Sequence, residues 1–226
     1  MKKKVAFIPA RSGSKGYPNK NIQKLQGLSL IEIAVKTAIE SKVFDFIVFS
    51  SDCNEYLSII KKFVPNEKKI FIHKRISGHL DNDEVDEMMI DVLSEIFQDK
   101  HELTVTLLYP TSPGRSSKSI TQAMELFDKS LDEKPVIGVT EFTDYIWTSS
   151  PYVYPLNYNP KNRKSRQKHK KKFFKENKSI YIFSFNKLKT TGTRVYDTPS
   201  LFEMPYKESI DVDNEYDLDL IKMLHA

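Results

Sequence analysis

Short apolar runs alternate with amphipathic segments along most of the chain. The first run, at 5–8, is uninterrupted and ends at Pro9, a pattern typical of a strand buried on both faces of a parallel sheet. Further strands are predicted at 46–49, 68–73, 103–109 and 136–139. After the first strand, apolar residues recur at helical spacing and predict a helix: Ile31, Ala34, Val35 and Ala38. This alternation predicts an α/β fold with a doubly wound, mostly parallel sheet.

Polar residues at the ends of these runs mark where helices begin. Ser29 and Glu32 have the spacing of a capping box at the start of the first helix. Either Asp52, directly after the second strand, or Asn54 can cap a helix that ends near Phe63; alternatively, Asp52 faces a substrate. Asp86 falls at the start of another predicted helix, where a carboxylate is usually a partner of the helix dipole.

The composition fits one folded domain covering 1–226. Hydrophobic residues make up 39% of the chain, with 14 Phe and 11 Tyr, which favours a packed core over disorder. The single cysteine, Cys53, excludes an internal disulfide and is compatible with a reducing cytoplasm. No stretch reaches membrane-spanning length, and the apolar run behind the lysines at 2–4 is too short for a signal sequence. We therefore expect a cytoplasmic protein without a membrane partner.

The net charge of +5 comes from one segment. Lys161–Lys178 contains ten Lys or Arg and a single Glu, so the remainder of the chain is net negative. A nucleic-acid-binding protein more often spreads its basic residues over several elements with aromatic platforms, so a nucleic-acid partner is not expected. The run is interpreted either as a solvated loop or as a cationic surface that draws anionic substrates to a cleft.

The loop after the first strand, at 11–21, combines cations, hydroxyls and glycines. Glycines let backbone N–H groups approach an anion closely, and lysine and arginine neutralise its charge, a combination that suits a triphosphate. The spacing fails both G-x-x-x-x-G-K-[ST] and G-x-G-x-x-G, so neither general motif identifies the loop. Its functional side chains are Arg11, Ser12, Ser14, Lys15, Lys20 and Asn21.

Two segments, IPARSGSKGYPNKN at 8–21 and PTSPGR at 110–115, resemble the signatures of the CMP-acylneuraminate synthetases. These are cytidylyltransferases that activate sialic acids and related nine-carbon acids. The resemblance implies a Rossmann-like nucleotidyltransferase fold and a homodimer. It also implies transfer of CMP from CTP to the anomeric hydroxyl of a nine-carbon 2-keto acid of the sialic, legionaminic or pseudaminic type, with release of pyrophosphate.

The resemblance further implies roles for individual residues. The triphosphate would be held by Arg11, Ser14, Lys15 and Lys20. The cytidine would be contacted by Asn21 and Arg75. The sugar pocket would be lined by Tyr109, Arg166, Gln167 and Tyr181. The catalytic residues would be Arg11, Lys20 and Asp211, and Arg11 or Lys20 would favour the departure of pyrophosphate.

Asp211 and Asp213 stand near the end of the sequence with one residue between them. Alternate side chains of an extended segment point the same way, so the two carboxylates would lie on one side and offer a place for Mg²⁺. The alternative interpretation is that Asp213 caps the last helix. The resembling family carries S-I-D-I-D at this place, which implies that both aspartates bind the metal.

From 141 to 178 the periodic pattern is lost, and no strand or helix is predicted there. We interpret this segment as an insertion in the domain, and the resemblance implies a small dimerisation subdomain that reaches into the partner's site. The end of the segment resembles R-Q…F-R-P-N-G-A-I-Y-I. In this chain the Arg, Pro and Gly of its F-R-P-N-G part are replaced by Lys175, Glu176 and Lys178.

Tyr109 is the clearest departure from the family pattern, which has glutamine there. A tyrosine offers one hydroxyl and an apolar ring instead of an amide, which favours a less hydroxylated acid of the legionaminic or pseudaminic type. Two alternatives stay open: a cytidylyltransferase for an eight-carbon acid, and a non-enzymatic basic protein that binds nucleic acid. The presence together of Arg11, Lys20, Asp211 and Asp213 argues against the second.

Overall fold

The computed structural model describes residues 2–13, 16–75, 85–98, 100–163 and 172–224. In chain order the elements are β1 (Lys3–Ala10), β2 (Lys24–Leu25), β3 (Leu28–Ser29), α1 (Leu30–Ser41), β4 (Phe46–Ser51), α2 (Asn54–Phe63), β5 (Ile70–Lys74), α3 (Val85–Phe97), β6 (Leu103–Leu107), α4 (Ser117–Asp128), β7 (Val136–Phe142), β8 (Trp147–Thr148), β9 (Tyr154–Pro155), β10 (Phe173–Ser184), α5 (Phe185–Thr191), β11 (Ser200–Glu203) and α6 (Glu215–Leu224). Short 3-10 helices lie at Lys20–Ile22, Pro160–Asn162 and Tyr206–Glu208.

Seven strands form one sheet in the order β11-β7-β10-β6-β1-β4-β5. β1 pairs in parallel with β4 on one side and with β6 on the other. β5 and β11 also pair in parallel with their neighbours, whereas β10 runs antiparallel to both β6 and β7. The predicted mostly parallel α/β sheet is confirmed, with one antiparallel strand inside it.

Burial of β1 on both faces explains its unbroken apolar run. Val5 and Phe7 belong to the core cluster on the side of α3 and α5, and Ala6 and Ile8 belong to the cluster on the side of α1, α2 and α4. Helices therefore cover both faces of the sheet, as parallel sheets require. A third cluster packs α6 against the start of α1. None of the helices in the described part of the chain combines the length and apolar character needed for a transmembrane span.

The helix start signals are partly confirmed. The capping box of α1 is present, because Oγ of Ser29 accepts from the backbone N–H of Glu32 and the Glu32 carboxylate accepts from that of Ser29 at 2.7 Å. The hydroxyl of Ser116 caps α4. α2 starts after Cys53 without a cap from any described side chain, so Asp52 is not its N-cap.

β7 and β10 extend further than the periodicity of the sequence indicates. They pair as far as Phe142 and Phe173, inside the segment 141–178 for which no regular structure is predicted. The two rings lie with their centroids 6.2 Å apart. Such cross-strand pairs stabilise a sheet, yet they cannot be recognised in a single segment read alone.

β10 is irregular where it passes the end of β6. Its register with β7 shifts after Glu176, and Lys178 in the shifted stretch has a φ of 58°. The buried side chain of Asn177 holds this bulge: its Oδ1 accepts from the backbone N–H of Ser179, and its Nδ2 donates to Oγ of Ser209, each at 3.1 Å. The bulge leaves the side chain of Lys178 exposed at the carboxyl edge of the sheet.

Gly138 on β7 lies against this bulge and leaves no room for a methyl group. A Cβ atom there would lie 2.7 Å from Oδ1 of Asn177 and 3.0 Å from Sδ of Met204. We expect Gly138→Ala to lower the free energy of unfolding by about 1–3 kcal/mol, because the bulge must shift to relieve the overlap. Urea denaturation measures the loss, and the same change in an Asn177→Ala background should cost less. A variant as stable as the wild type would contradict the close approach.

Candidate active site

The carboxyl ends of β1, β4, β5 and β6 lie at one edge of the sheet. Arg11 follows β1, Asp52 follows β4, Arg75 follows β5, and Tyr109 comes two residues after β6. Strand order reverses at β1, since β4 lies on one side of it and β6 on the other. Open α/β sheets bind their ligands in the crevice at such a point, so this edge is the candidate active site.

Arg75 is buried at this edge and ties two strand ends together. Its Nη1 donates to the carbonyl oxygen of Ser50 at 3.1 Å, and its Nη2 donates to that of Ala10 at 3.2 Å. Burial lowers the pKa of Arg75, and the carboxylate of Asp52, 3.6 Å from Nη2, opposes that effect. The guanidinium therefore supports the end of β1, and its contact with cytidine stays a prediction.

Asp52 holds the first residues of the loop at 11–21. Its Oδ1 accepts from the backbone N–H of Ser12 at 2.9 Å, and its Oδ2 accepts from the Ser12 hydroxyl at 2.6 Å. Burial favours the neutral acid, but these two hydrogen bonds and the charge of Arg75 outweigh it and lower the pKa of Asp52. Asp52 therefore fixes the start of the predicted phosphate loop. The sequence alone left its role undecided.

Lys20 and Asn21 lie in the short helix Lys20–Ile22 at the far end of this loop. The buried Asn21 donates from Nδ2 to the carbonyl oxygen of Arg11 at 2.9 Å, which holds the two ends of the loop together. Nζ of Lys20 lies 3.1 Å from Oδ1 of Asp213. Outside the described residues lie four of the predicted site residues, Ser14, Lys15, Arg166 and Gln167.

The segment with the two aspartates passes beside the loop. Val212, between them, donates its backbone N–H to the carbonyl oxygen of Thr111 at 2.7 Å, which anchors the segment to the residues after β6. Gly16 approaches it from the other side, and an added Cβ there would lie 3.3 Å from the carbonyl oxygen of Asp213. The structure thus brings three regions distant in sequence to one place.

Asn214, and not Asp213, caps α6. Oδ1 of Asn214 accepts from the backbone N–H of Asp217 at 3.1 Å, and Oδ2 of Asp217 accepts from the backbone N–H groups of Asp213 and Asn214. The side chain of Asp213 is 62% exposed and faces Lys20. Its carboxylate is therefore available to the crevice.

Lys178 joins the two aspartates, a contact that the sequence does not predict. Its Nζ lies 2.9 Å from Oδ2 of Asp211 and 3.9 Å from Oδ2 of Asp213. The hydrogen bond to Asp211 raises the pKa of Lys178, so the side chain is an ammonium at neutral pH. Together with Lys20, it balances the charges of the two carboxylates. We call Lys20, Lys178, Asp211 and Asp213 the charge cluster.

The two aspartates also fit a divalent cation. Oδ1 of Asp211 is buried, and no described residue hydrogen-bonds to it, so its lone pairs are available to a metal. Within the described ranges, no cluster of three or more His, Cys, Asp or Glu side chains could hold a metal ion. Mg²⁺ commonly takes one or two carboxylates and completes its shell with phosphates and water, so two carboxylates beside the predicted phosphate loop are compatible with it.

Tyr109 and Tyr181 form an aromatic wall next to the charge cluster. Their rings meet edge to face with centroids 6.3 Å apart. The hydroxyl of Tyr181 donates to Oε1 of Glu176 at 2.5 Å. Burial raises the pKa of both tyrosines, so both hydroxyls stay protonated at neutral pH. The two predicted sugar-pocket residues in the described part of the chain therefore lie together.

Arg194 adds a cation to this wall. Its guanidinium carbon lies 4.8 Å from the centroid of the Tyr181 ring, a cation–π distance. Asp86 fixes it, because Nη1 of Arg194 donates to Oδ1 at 2.6 Å and the backbone N–H donates to Oδ2 at 3.2 Å. Sequence reasoning missed Arg194 because it lies in a loop without a motif, and it assigned Asp86 to the dipole of α3. Only the packing of that loop against α3 reveals the pair.

Arg115, the last residue of the second signature, is a buried support. Its Nη1 donates to the carbonyl oxygen of Ser179 at 2.6 Å, and both Nη atoms lie 3.4 Å from the carbonyl oxygen of Tyr109. Burial lowers the pKa of Arg115 to about 9, and the charge of Glu208 acts against this shift. Arg115 therefore fixes the backbone on which Tyr109 and the β10 bulge stand.

A doubly wound sheet whose crevice combines a phosphate-type loop, lysines and paired aspartates defines the class of nucleotidyltransferases. The profile of the cytidylyltransferase family matches residues 5–224. Because this match spans nearly the whole chain, the chain belongs to that family.

Individual relatives agree with this assignment. The chain is 28% identical over 231 residues to a pseudaminic acid cytidylyltransferase from Campylobacter jejuni, covering 99% of this chain and 96% of the relative. It is 27% identical over 235 residues to an N-acylneuraminate cytidylyltransferase from Escherichia coli, covering 96% of this chain and 50% of the relative. The structure of CMP:2-keto-3-deoxy-manno-octonic acid synthetase complexed with CTP has the same fold, with a TM-score of 0.70 at 14% identity, covering 99% of this chain and 98% of that one.

Proposed function

We propose that this protein transfers CMP from CTP to the anomeric hydroxyl of a nine-carbon 2-keto acid and releases pyrophosphate. The observation that carries the proposal is the charge cluster beside the loop at 11–21, because lysines and paired carboxylates converge there on the place where a triphosphate would lie. Family membership supports the cytidine nucleotide. The names of the relatives from Campylobacter jejuni and Escherichia coli support a nine-carbon acid of the pseudaminic or sialic type.

In the proposed reaction, the oxygen of the anomeric hydroxyl attacks the α-phosphorus and forms a new P–O bond. The bond from the α-phosphorus to the bridging oxygen breaks on the opposite side, and pyrophosphate leaves with that electron pair. The hydroxyl proton passes to solvent or to a nearby carboxylate. Most of the catalysis in such a displacement comes from positioning and charge neutralisation, which is what the residues of this crevice offer.

Arg11, Ser14, Lys15 and Lys20 would hold the triphosphate. Lys20 is bound to Asp213 in this structure, so it would exchange that carboxylate for a phosphate oxygen when the nucleotide enters. With its ammonium on the phosphates, Lys20 would stabilise the negative charge that develops on the leaving pyrophosphate, and Arg11 would assist. Asn21 and Arg75 would contact the cytidine.

Asp211 and Asp213 would hold Mg²⁺, which supplies polarisation of the α-phosphate when it is bound. The buried Oδ1 of Asp211, which has no hydrogen-bond partner among the described residues, supports this role. Val212 would keep both carboxylates in position through its backbone hydrogen bond to Thr111.

The sugar would contact Tyr109, Tyr181, Arg166 and Gln167, and Arg194 would join them because it stacks on Tyr181. An apolar ring at Tyr109 favours a deoxy acid whose methyl or acyl groups can pack against it. The cation at Arg194, held by Asp86, is placed to attract an acyl oxygen or a carboxylate.

A homodimer is part of the proposal. The hairpin of β8 and β9, which comes between β7 and β10 in the chain, exposes a group of large apolar side chains, Trp147, Tyr152, Val153, Tyr154 and Leu156. An exposed apolar patch of this kind on a monomer usually marks an interface. The segment 141–178 would therefore act as the dimerisation subdomain, and the enzyme would work in the cytoplasm, where nucleoside triphosphates are available.

The proposal is tested by pyrophosphate release from a panel of CTP, UTP, ATP and GTP combined with nine-carbon and eight-carbon keto acids. We expect release only with CTP and a nine-carbon acid. Release only with the eight-carbon acid would correct the substrate class. The absence of release from every combination, together with salt-sensitive retention on immobilised DNA, would favour the nucleic-acid-binding alternative.

Removal of either aspartate charge tests the metal assignment. We expect Asp211→Asn and Asp213→Asn each to lower kcat/KM at least about a hundredfold, because each removes a carboxylate that would hold the cation neutralising the charge at the α-phosphate. Initial rates of pyrophosphate release measure the effect. The matched control is Asp219→Asn, an exposed aspartate that pairs with Lys222 at 2.8 Å outside the crevice. Full activity of the wild type in EDTA would contradict the metal site.

Tyr109 tests the identity of the sugar. We expect the wild type to prefer a legionaminic or pseudaminic acid over N-acetylneuraminic acid, and Tyr109→Gln to narrow that preference, since the amide can pair with additional hydroxyls. The measurement is the ratio of kcat/KM for the two acids in wild type and variant. Tyr216→Gln, at a tyrosine that is 85% exposed on α6, is the control. A wild-type preference for N-acetylneuraminic acid would contradict the expectation.

A further inference from the structure

Lys178 stands in a backbone conformation that a lysine adopts only at a cost. Its φ of 58° lies in the left-handed region, where the Cβ of a residue other than glycine crowds the backbone. The sequence that this part of β10 resembles has glycine at the position. Lysine in place of that glycine has a specific contact, because its ammonium reaches the two aspartates of the charge cluster.

The ammonium of Lys178 lies closer to Asp211 than to Asp213, and it contacts only one of the two oxygens of Asp211. Nζ of Lys178 lies 2.9 Å from Oδ2 of Asp211, whereas Oδ1 of the same carboxylate is buried and has no partner among the described residues. Asp213 receives Lys20 on Oδ1 at 3.1 Å and Lys178 on Oδ2 at 3.9 Å. The two lysines thus contact three of the four carboxylate oxygens, and the fourth, Oδ1 of Asp211, is the buried acceptor.

We propose that Lys178 is a tethered cation that shares the aspartate pair with the divalent metal ion and weakens the binding of that ion to the free enzyme. The inference rests on the proposed function, because it takes Asp211 and Asp213 as the metal-binding carboxylates. The ammonium supplies a positive charge that is built into the chain, so the cluster is neutral before any ion arrives. A divalent cation must then displace the ammonium from Oδ2 of Asp211 or bind beside it against repulsion.

In the free enzyme the two lysines, and not a metal ion, would therefore neutralise the aspartates. With the aspartates neutralised by lysines, the free enzyme has little attraction for a bare metal ion, and the ion would enter mainly together with the triphosphate. The anionic nucleotide would compete for the two ammonium groups and release the carboxylates, so that metal and nucleotide each favour the binding of the other.

The test is direct titration of the free, full-length protein with Mn²⁺ alone at low ionic strength, with the free ion followed by electron paramagnetic resonance. We expect Lys178→Gly and Lys178→Met each to bind Mn²⁺ about tenfold more tightly than the wild type, because both remove the competing charge. Lys178→Gly also removes the unfavourable φ, whereas Lys178→Met keeps it, so agreement between the two variants assigns the effect to charge.

Two further variants serve as controls. Lys178→Arg keeps the charge and should stay within about twofold of the wild type. Lys172→Met removes a matched ion pair, since Lys172 lies 2.9 Å from Glu141 and its side chain is 62% exposed against 55% for Lys178. It should also leave the affinity for Mn²⁺ unchanged.

Each outcome bears on a different part of the inference. Unchanged affinity in both Lys178→Gly and Lys178→Met would overturn it, and so would tighter binding in Lys178→Gly alone, since strain and not charge would then be responsible. Asp211→Asn added to Lys178→Met should abolish the gain, and its persistence would overturn the metal assignment as well. The transferase activity itself is measured separately by pyrophosphate release, so a failure of the inference is distinguishable from a failure of the proposed function.

Discussion

Parallel pairing of β1 with β4 on one side and with β6 on the other is the constraint on which the rest of the structure depends. It directs the connections of neighbouring strands to opposite faces of the sheet and opens a crevice at their carboxyl ends. Arg75 maintains that crevice, because its guanidinium bonds the carbonyl groups of Ala10 and Ser50, at the carboxyl ends of β1 and β4, from a buried position. The loop at 11–21 then starts from a rigid edge, and Asp52 sets the direction in which it leaves.

Charge balance at this edge comes from segments that are far apart in the sequence. Lys20 and Asp213 are 193 residues apart, and Lys178 and Asp211 are 33 apart. Exposed ion pairs of this kind contribute about 1 kcal/mol or less to folding, so stability alone does not account for four charged groups in one place. The proposed function explains their proximity by exchange: each lysine would leave a carboxylate for a phosphate at little cost, because its ammonium would be paired in both states.

Much of the fold was predictable from sequence because it depends on local pattern. The apolar run of β1 and the capping box of Ser29 and Glu32 need no knowledge of distant contacts, and the structure confirms both. The motif at 8–21 also indicated the nucleotide class, which the family match confirms. What could not be predicted depends on tertiary contacts. Asp52 bonds Ser12 across two strand ends. Asn214 caps α6, although Asp213 was the candidate that the sequence offered.

The two ends of the crevice differ in how far they can be predicted from sequence, because they are built from different numbers of chain segments. The proposed triphosphate end consists of one loop with backbone groups and lysines, so its chemistry can be recognised in a continuous stretch. The proposed sugar end consists of single side chains from separate elements: Tyr109 after β6, Tyr181 on β10, Arg194 after α5 and Asp86 on α3. A guanidinium stacked on one ring and fixed by a carboxylate acts as a unit with that ring, so a change at any one of these positions alters the others. Under the proposed function, recognition of the triphosphate would therefore follow from local sequence, whereas the choice of acid would depend on how the loop after α5 packs against α3.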